Sequence, residues 1–342
     1  MIKLLAKAPS NGLGRSVYSA VIAVIFLCFG DTSCAGITVE ESSLVIPTYM
    51  VDPPNPMPRY YEGNTHQGVQ RRIYPYPMND GLTRNKEDQA YPIIYLKIGI
   101  MPSLGGRIFS AVDKTNDYDF FYRQHVIKPS LIGMTGYWIS GSNAWGFPHH
   151  HGPNTVKPMD HRIEANADGS HTVWIANTDQ RHRMRVLIGY TLFPNSSIIE
   201  MTIRPMNPTP LVNSFLFWTN PSVHVNTDYQ VIFPPSVKYV TQHAKREMTA
   251  WPIADRRYNN FEYKGIDISW WKNIGVPSSF FSWDPKEDYF GGYDHGKKAG
   301  TVWVGNHHIA PGMKFWAWGN NPAGDRANEG LTDDDGHYIE LM

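Results

Sequence analysis

Arg183-Met-Arg-Val-Leu-Ile-Gly-Tyr-Thr-Leu-Phe193, Pro194-Asn-Ser196 and Ser197-Ile-Ile-Glu-Met-Thr-Ile-Arg-Pro205 follow one another without a break. The outer two runs are rich in β-branched and aromatic residues, and the middle one is turn chemistry, so the stretch predicts two long strands joined by a tight connection. The same pattern recurs along the chain. Ser170–Ala176 follows the turn Ala167-Asp168-Gly169. Tyr91–Ile100, Leu211–Trp218, Ser278–Trp283, Thr301–Val304 and Lys314–Trp318 are further strand candidates. No long stretch carries helical periodicity, although Thr241–Ala250 is read as a short helix. Twenty-six prolines and 29 glycines punctuate the strands, most densely at Pro53–Pro58, read as an extended surface connection. The expected architecture is all-β, a large antiparallel sandwich.

The chain has 342 residues, with 31 Lys+Arg balanced by 31 Asp+Glu. It is 42% hydrophobic, 13% aromatic and only 18% charged, which excludes a disordered chain. The absence of a basic excess argues against nucleic acid as a partner. Lys3, Lys7 and Arg15 precede the apolar run Val17–Phe29, and Ser33-Cys34-Ala35 supplies small residues after it. The run is too short for a comfortable membrane span. It fits a leader, residues 1–35, cleaved after Ala35, with export to the periplasm or beyond and no membrane span remaining. Lipidation at Cys34 is the weaker alternative, because Asp31 stands where an apolar residue is expected. Removal of residues 1–35 leaves 36–342 as one domain of 307 residues, with 28 basic and 30 acidic side chains and no cysteine.

Four polar constellations stand out. Trp138-Ile-Ser-Gly-Ser-Asn-Ala-Trp-Gly-Phe-Pro-His-His-His151 carries three successive histidines; on an extended backbone His149 and His151 share a face and His150 points oppositely. In Asn220–Tyr229, alternation places His224, Asn226 and Asp228 on one face of an expected strand. Phe290-Gly-Gly-Tyr-Asp-His295 combines Asp294 and His295 in a glycine-rich run. In Leu331–Met342 three successive aspartates lack the alternation of a calcium loop, and Glu340 sits in an apolar strand-like end, either solvated or inward and functional. Solvated loops and ordinary turns compete with function at the first three. The tryptophans near Gly, Pro, Asn or Asp fit sugar stacking, since pyranose rings have apolar faces and hydroxyl edges. No cofactor is implied; a divalent metal has no support in the spacing.

Met101-Pro-Ser-Leu-Gly-Gly-Arg-Ile-Phe-Ser110 resembles the opening hairpin of galactose-mutarotase-like proteins. With Tyr74-Pro-Tyr-Pro77, Trp138-Ile-Ser-Gly141, Pro148–His151, Gly291–His295, Ala299–Val302 and Leu331–Met342, the chain is more specifically similar to the DUF5107 family. The resemblance implies an exported β-supersandwich with a carbohydrate cleft on the concave face of its larger sheet. The expected activity is glycoside cleavage or sugar isomerisation by general acid–base chemistry. His224, Asp294 and Glu340 are the catalytic candidates, and His150, His151, His295, Trp138 and Arg107 the substrate-binding ones. A non-catalytic glycan-binding or structural β-domain is the alternative. Ala144 favours it, because the family pattern implies a Glu there. Family members continue past Met342, so the chain reads as truncated, with an unpaired sheet edge expected at its end.

Overall fold

The computed structural model describes residues 20–25, 37–50, 61–62, 70–71, 86–95, 98–113, 116–131, 137–149, 156–180, 182–194 and 196–342. Two large sheets account for most of them, and every pairing between their strands is antiparallel. The smaller has eight strands, in the order Asp160–Ala165, His171–Thr178, Arg185–Leu192, Ile198–Met206, Ala20–Ile25, Ala299–Val304, Tyr289–Asp294 and Tyr229–Ile232. The larger has twelve. Its main path runs Met248–Ala250, Tyr239–Thr241, Ser278–Ser282, Lys314–Ala317, Tyr338–Leu341, Trp218–His224, Asn143–Gly146, Arg107–Asp113, Ile98–Met101, Lys86–Tyr95 and Glu40–Tyr49, and Tyr118–Asp119 pairs with Arg107–Asp113.

The stretch that decided the fold pairs as expected, from Arg185 opposite Met206 to Leu192 opposite Ile199. Alternation sends Val186, Ile188, Tyr190, Ile199, Met201 and Ile203 into the core between the sheets. The larger sheet meets them with Ile108, Trp145, Val223, Phe315, Ile339 and Leu341. Aromatic rings link the two layers: Phe233, just past the end of Tyr229–Ile232, lies 6.0 Å from Phe315 of the larger sheet and 5.1 Å from Phe290 of its own, and Phe280 stacks on Phe315 within the larger sheet at 4.6 Å. Such ring pairs contribute about 0.5–1.5 kcal/mol each beyond their burial.

Four local expectations are corrected. Thr241–Ala250 is no α-helix: Thr241 pairs with Met248 and Tyr239 with Ala250 around a short 3-10 turn at His243–Lys245, so cross-strand pairing overrides the weak helical signal. Tyr91–Ile100 spans the end of one strand and the start of the next, with Tyr95 opposite Gly99. Leu211–Trp218 is loop up to Phe217, leaving Leu211, Val212, Phe215 and Leu216 exposed; its apolar residues do not alternate, and no strand pairs with it. The end of the chain is no sheet edge: Tyr338–Leu341 is hydrogen-bonded on both sides. One ten-residue helix, Pro322–Leu331, escaped the sequence reading; Asn321 Oδ1 caps it by accepting from the Gly324 N–H at 3.2 Å.

Arg107, expected to bind substrate, is a fully buried strut. Its Nε donates to Leu104 O at 3.0 Å, and its Nη1 to Ile139 O at 2.9 Å and Ser142 Oγ at 3.3 Å. Burial draws its guanidinium down to about 10, so it stays charged at neutral pH. It ties the Arg107–Asp113 strand to the turn at Gly141-Ser142, where Gly141 has φ +86° and a Cβ would come within 3.0 Å of Tyr122 O. That turn delivers Ser142 O to the Ser222 N–H at 2.9 Å and aligns Asn143–Gly146 with Trp218–His224. Arg107→Leu is expected to cost about 3 kcal/mol by leaving buried carbonyls unpaired, seen as a lower urea midpoint. An unchanged midpoint would remove Arg107 from this structural role.

Candidate functional site

The site is built by register. In Trp218–His224, alternation turns Val223 into the core and sends Trp218, Asn220, Ser222 and His224 to the opposite face. Ser222 lies opposite Glu340 and His224 opposite Tyr338. Glu340 in turn lies opposite Trp316, and Asn220 opposite Ala144. Lys314, two residues before Trp316, extends the same face. Three neighbouring strands therefore place a carboxyl, an amide, a phenol, an imidazole, an amine and an indole side by side.

Glu340 is 4% exposed and its Oε1 has no hydrogen-bond partner. Asn220 Oδ1 and Tyr338 Oη, both buried on the same face, also lack one. Burial pushes the Glu340 carboxyl up to about 7, against the opposing pull of Lys314 and of nearby Asn220 and Tyr338. It is thus both acid and base near neutral pH. Lys314 is partly exposed, yet enough protein surrounds it that burial draws its ammonium down to about 8, with Glu340 working the other way. Burial, with Lys297 adding to it, lowers His224 to about 4, so its imidazole is neutral at pH 7. His224 lies 4.7 Å from the Tyr122 ring, and Tyr122 lies 4.6 Å from Tyr338. Trp318 is fully buried against Tyr338, donating through Nε1 to His337 Nδ1 at 2.6 Å, whereas Trp316 keeps a partly exposed indole.

Of the predicted residues, the structure brings His224 and Glu340 together on this face. Asp294 is carried by the other sheet, opposite Tyr229. Its oxygens accept from Asn226 Nδ2 at 2.6 Å and from the Lys297 N–H at 2.9 Å, so it pins the turn between two strands. His295, exposed, bonds through Nε2 to Gln230 Oε1 at 3.0 Å and sits 5.0 Å from the rings of Trp270 and Tyr293. Adjacent residues point to opposite sides of a strand, which separates His295 from Asp294. Asn226 and Asp228 do not continue the His224 face: the strand ends at His224, and the Asp228 N–H closes a turn onto Asn226 Oδ1 at 2.7 Å. His150 and His151 lie outside the described residues, as does the side chain of Trp138, whose backbone belongs to the strand Tyr137–Ile139. Among the described residues, no group of three or more His, Cys, Asp or Glu side chains is placed to hold a metal. The sequence reading missed Asn220, Lys314, Trp316 and Tyr338 as neighbours of Glu340. The alternation Tyr338-x-Glu340 and Lys314-x-Trp316 was available, but not the register that aligns them.

These features define an all-β, two-sheet protein with one buried acid in a polar and aromatic sheet face. Residues 69–342 match the family model DUF5107, a domain of unknown function, and the chain belongs to that family. It is also similar, at 20% identity and a TM-score of 0.72, to a crystal structure of a TPR-domain-containing protein from Parabacteroides distasonis. That match covers 90% of this chain and 51% of the other, so the chain spans about half of that protein's length, and the likeness concerns the fold. Among the described residues, no helix is long and apolar enough to cross a membrane.

The raised Glu340 value sets a pH dependence. A carboxyl that titrates near 7 when folded and near 4.5 when unfolded favours the folded state most below the unfolded value. That advantage is lost as pH rises through the window to about 7. Glu340→Gln is expected to raise stability at pH 8 by up to about 3 kcal/mol and to change it little at pH 4, measured by urea unfolding. An equal effect at both pH values would contradict the shift.

Proposed function

We propose that this face binds carbohydrate and that Glu340 moves a proton on the bound sugar. The observation that carries the reading is the buried Glu340 carboxyl, with one oxygen unpartnered, directly across from the partly exposed Trp316 indole. An indole offers a surface for the apolar side of a pyranose, and the unpartnered Asn220, Tyr338 and Glu340 atoms suit its hydroxyl edge. A carboxyl near neutral pKa can donate and accept a proton in the same turnover, and neutral His224 adds a second hydrogen-bonding group. The four strands of the face carry no Asp or Glu besides Glu340. Glycoside cleavage uses two carboxyl groups, so sugar isomerisation is the chemistry this face favours. The resemblance to galactose-mutarotase-like proteins points the same way. Non-catalytic glycan binding is the second reading, favoured by Ala144 opposite Asn220, where the family pattern implies a carboxylate.

Calorimetry against a glycan panel, paired with NMR of anomer interconversion, tests both. Trp316→Ala is expected to weaken binding at least about tenfold. Glu340→Gln is expected to keep binding and abolish interconversion; intact interconversion would refute the acid–base role. Binding without any interconversion by the unaltered protein would establish the second reading.

We also propose export, on the basic head and apolar run of residues 1–35. That stretch contains Ala20–Ile25, the strand between Ile198–Met206 and Ala299–Val304. N-terminal sequencing of the cell-derived protein is expected to begin at Gly36; a chain that retains Ala20–Ile25 would overturn cleavage.

A further inference from the structure

Two lysines bracket the candidate face. Lys314 lies at one end; its diagonal neighbour across the strand pair is Glu340, because Lys314 and Met342 bond reciprocally through their backbones. Its Nζ contacts Met342 Sδ at 3.3 Å and stands 5.3 Å over the Phe281 ring. At the other end, Lys297 is exposed on the smaller sheet's turn after Asp294, near enough to His224 to act on it electrostatically, with its Nζ 5.7 Å over the Tyr118 ring. Neither has a carboxylate within ion-pairing distance among the described residues, in contrast to Lys86 and Lys128, which share Asp333, and Lys286, which holds Asp284. Arg123, near His224, is already paired with Asp119 at 3.4 Å. Between the two lysines the strands offer a single acid, Glu340, together with neutral hydrogen-bonding groups.

Glu340 acts on Lys314 and Asp119 on Lys297, and Asp335 lies near His224, but Asp119 is held by Arg123 and Asp335 by His125, so both lysines keep their ammonium groups free of an ion pair among the described residues. An ammonium on a partly buried protein surface attracts an anion more strongly than the same group in bulk water. We infer that the carbohydrate taken by this face is anionic, with carboxylate or sulfate groups that meet Lys314 and Lys297 while a ring lies on Trp316. This rests on the carbohydrate reading and narrows it to a class of sugar.

The test is calorimetric titration of the full chain at low salt with three probes of equal length: an oligogalacturonate, an O-sulfated galacto-oligosaccharide and the neutral galacto-oligosaccharide. The expected result is that at least one acidic probe binds about tenfold or more tightly than the neutral one, and which one identifies the group. Lys297→Gln, at an exposed position, should remove most of that preference while leaving neutral-probe affinity unchanged, and Lys314→Gln, within the face itself, should weaken the acidic probe by a larger factor than the neutral one. Higher ionic strength should weaken the acidic probe alone. Equal or tighter binding of the neutral probe would overturn the anionic class and leave the carbohydrate reading standing. A preference that survives both substitutions would overturn the role of the lysines. Failure of all three probes, with failure of the wider glycan panel, would overturn the carbohydrate reading itself.

Discussion

The backbone ladder that holds Tyr338–Leu341 between Trp218–His224 and Lys314–Ala317 governs everything at the candidate site. A strand bonded on both sides cannot slide without breaking two sets of pairings, and a slip of one residue would exchange its faces. In the observed register Ile339 and Leu341 complete the core, and Tyr338 and Glu340 are committed to the opposite face. The apolar side therefore drives the carboxyl into its buried position. Ile339 and Leu341 supply the free energy, and Glu340 is carried along at the cost of desolvation.

The rest of the fold keeps that ladder in place. The contact of Phe233 with Phe315 joins the two sheets behind it. Arg107 and the left-handed Gly141-Ser142 turn align Asn143–Gly146 against Trp218–His224. Trp318, locked to His337, packs edge-on against the rings of Trp316 and Tyr338. A site whose side chains stand on rigid strands, with packed neighbours beneath them, is pre-organised, so a ligand would meet groups already oriented.

Much of the fold was legible because strand signals are local. Arg185–Leu192 and Ile198–Met206 announce themselves through β-branched residues and a Pro-Asn-Ser turn, and both core faces follow from period two. The misread segments fail for physical reasons. Leu211–Phe217 is apolar without alternation, and Thr241–Ala250 lacks the turn residues that usually mark a hairpin. At the site, Glu340 and His224 were visible as polar residues in apolar strands. Asp294 and His295 were visible too, but adjacency in the chain said nothing about the sheet to which they belong.

The sequence by itself determined the all-β class, the positions of most strands and the identity of the one acid embedded in the last of them. Tertiary structure alone decided which residues surround that acid. Lys314 and Trp316 come from one strand, and Asn220 and His224 from another about ninety residues or more before them in the chain. Register between strands distant in sequence depends on the summed packing of both sheets, a non-local quantity that no window of residues contains. The same packing withdraws water from Glu340, and so sets a carboxyl value that its local sequence could not foretell.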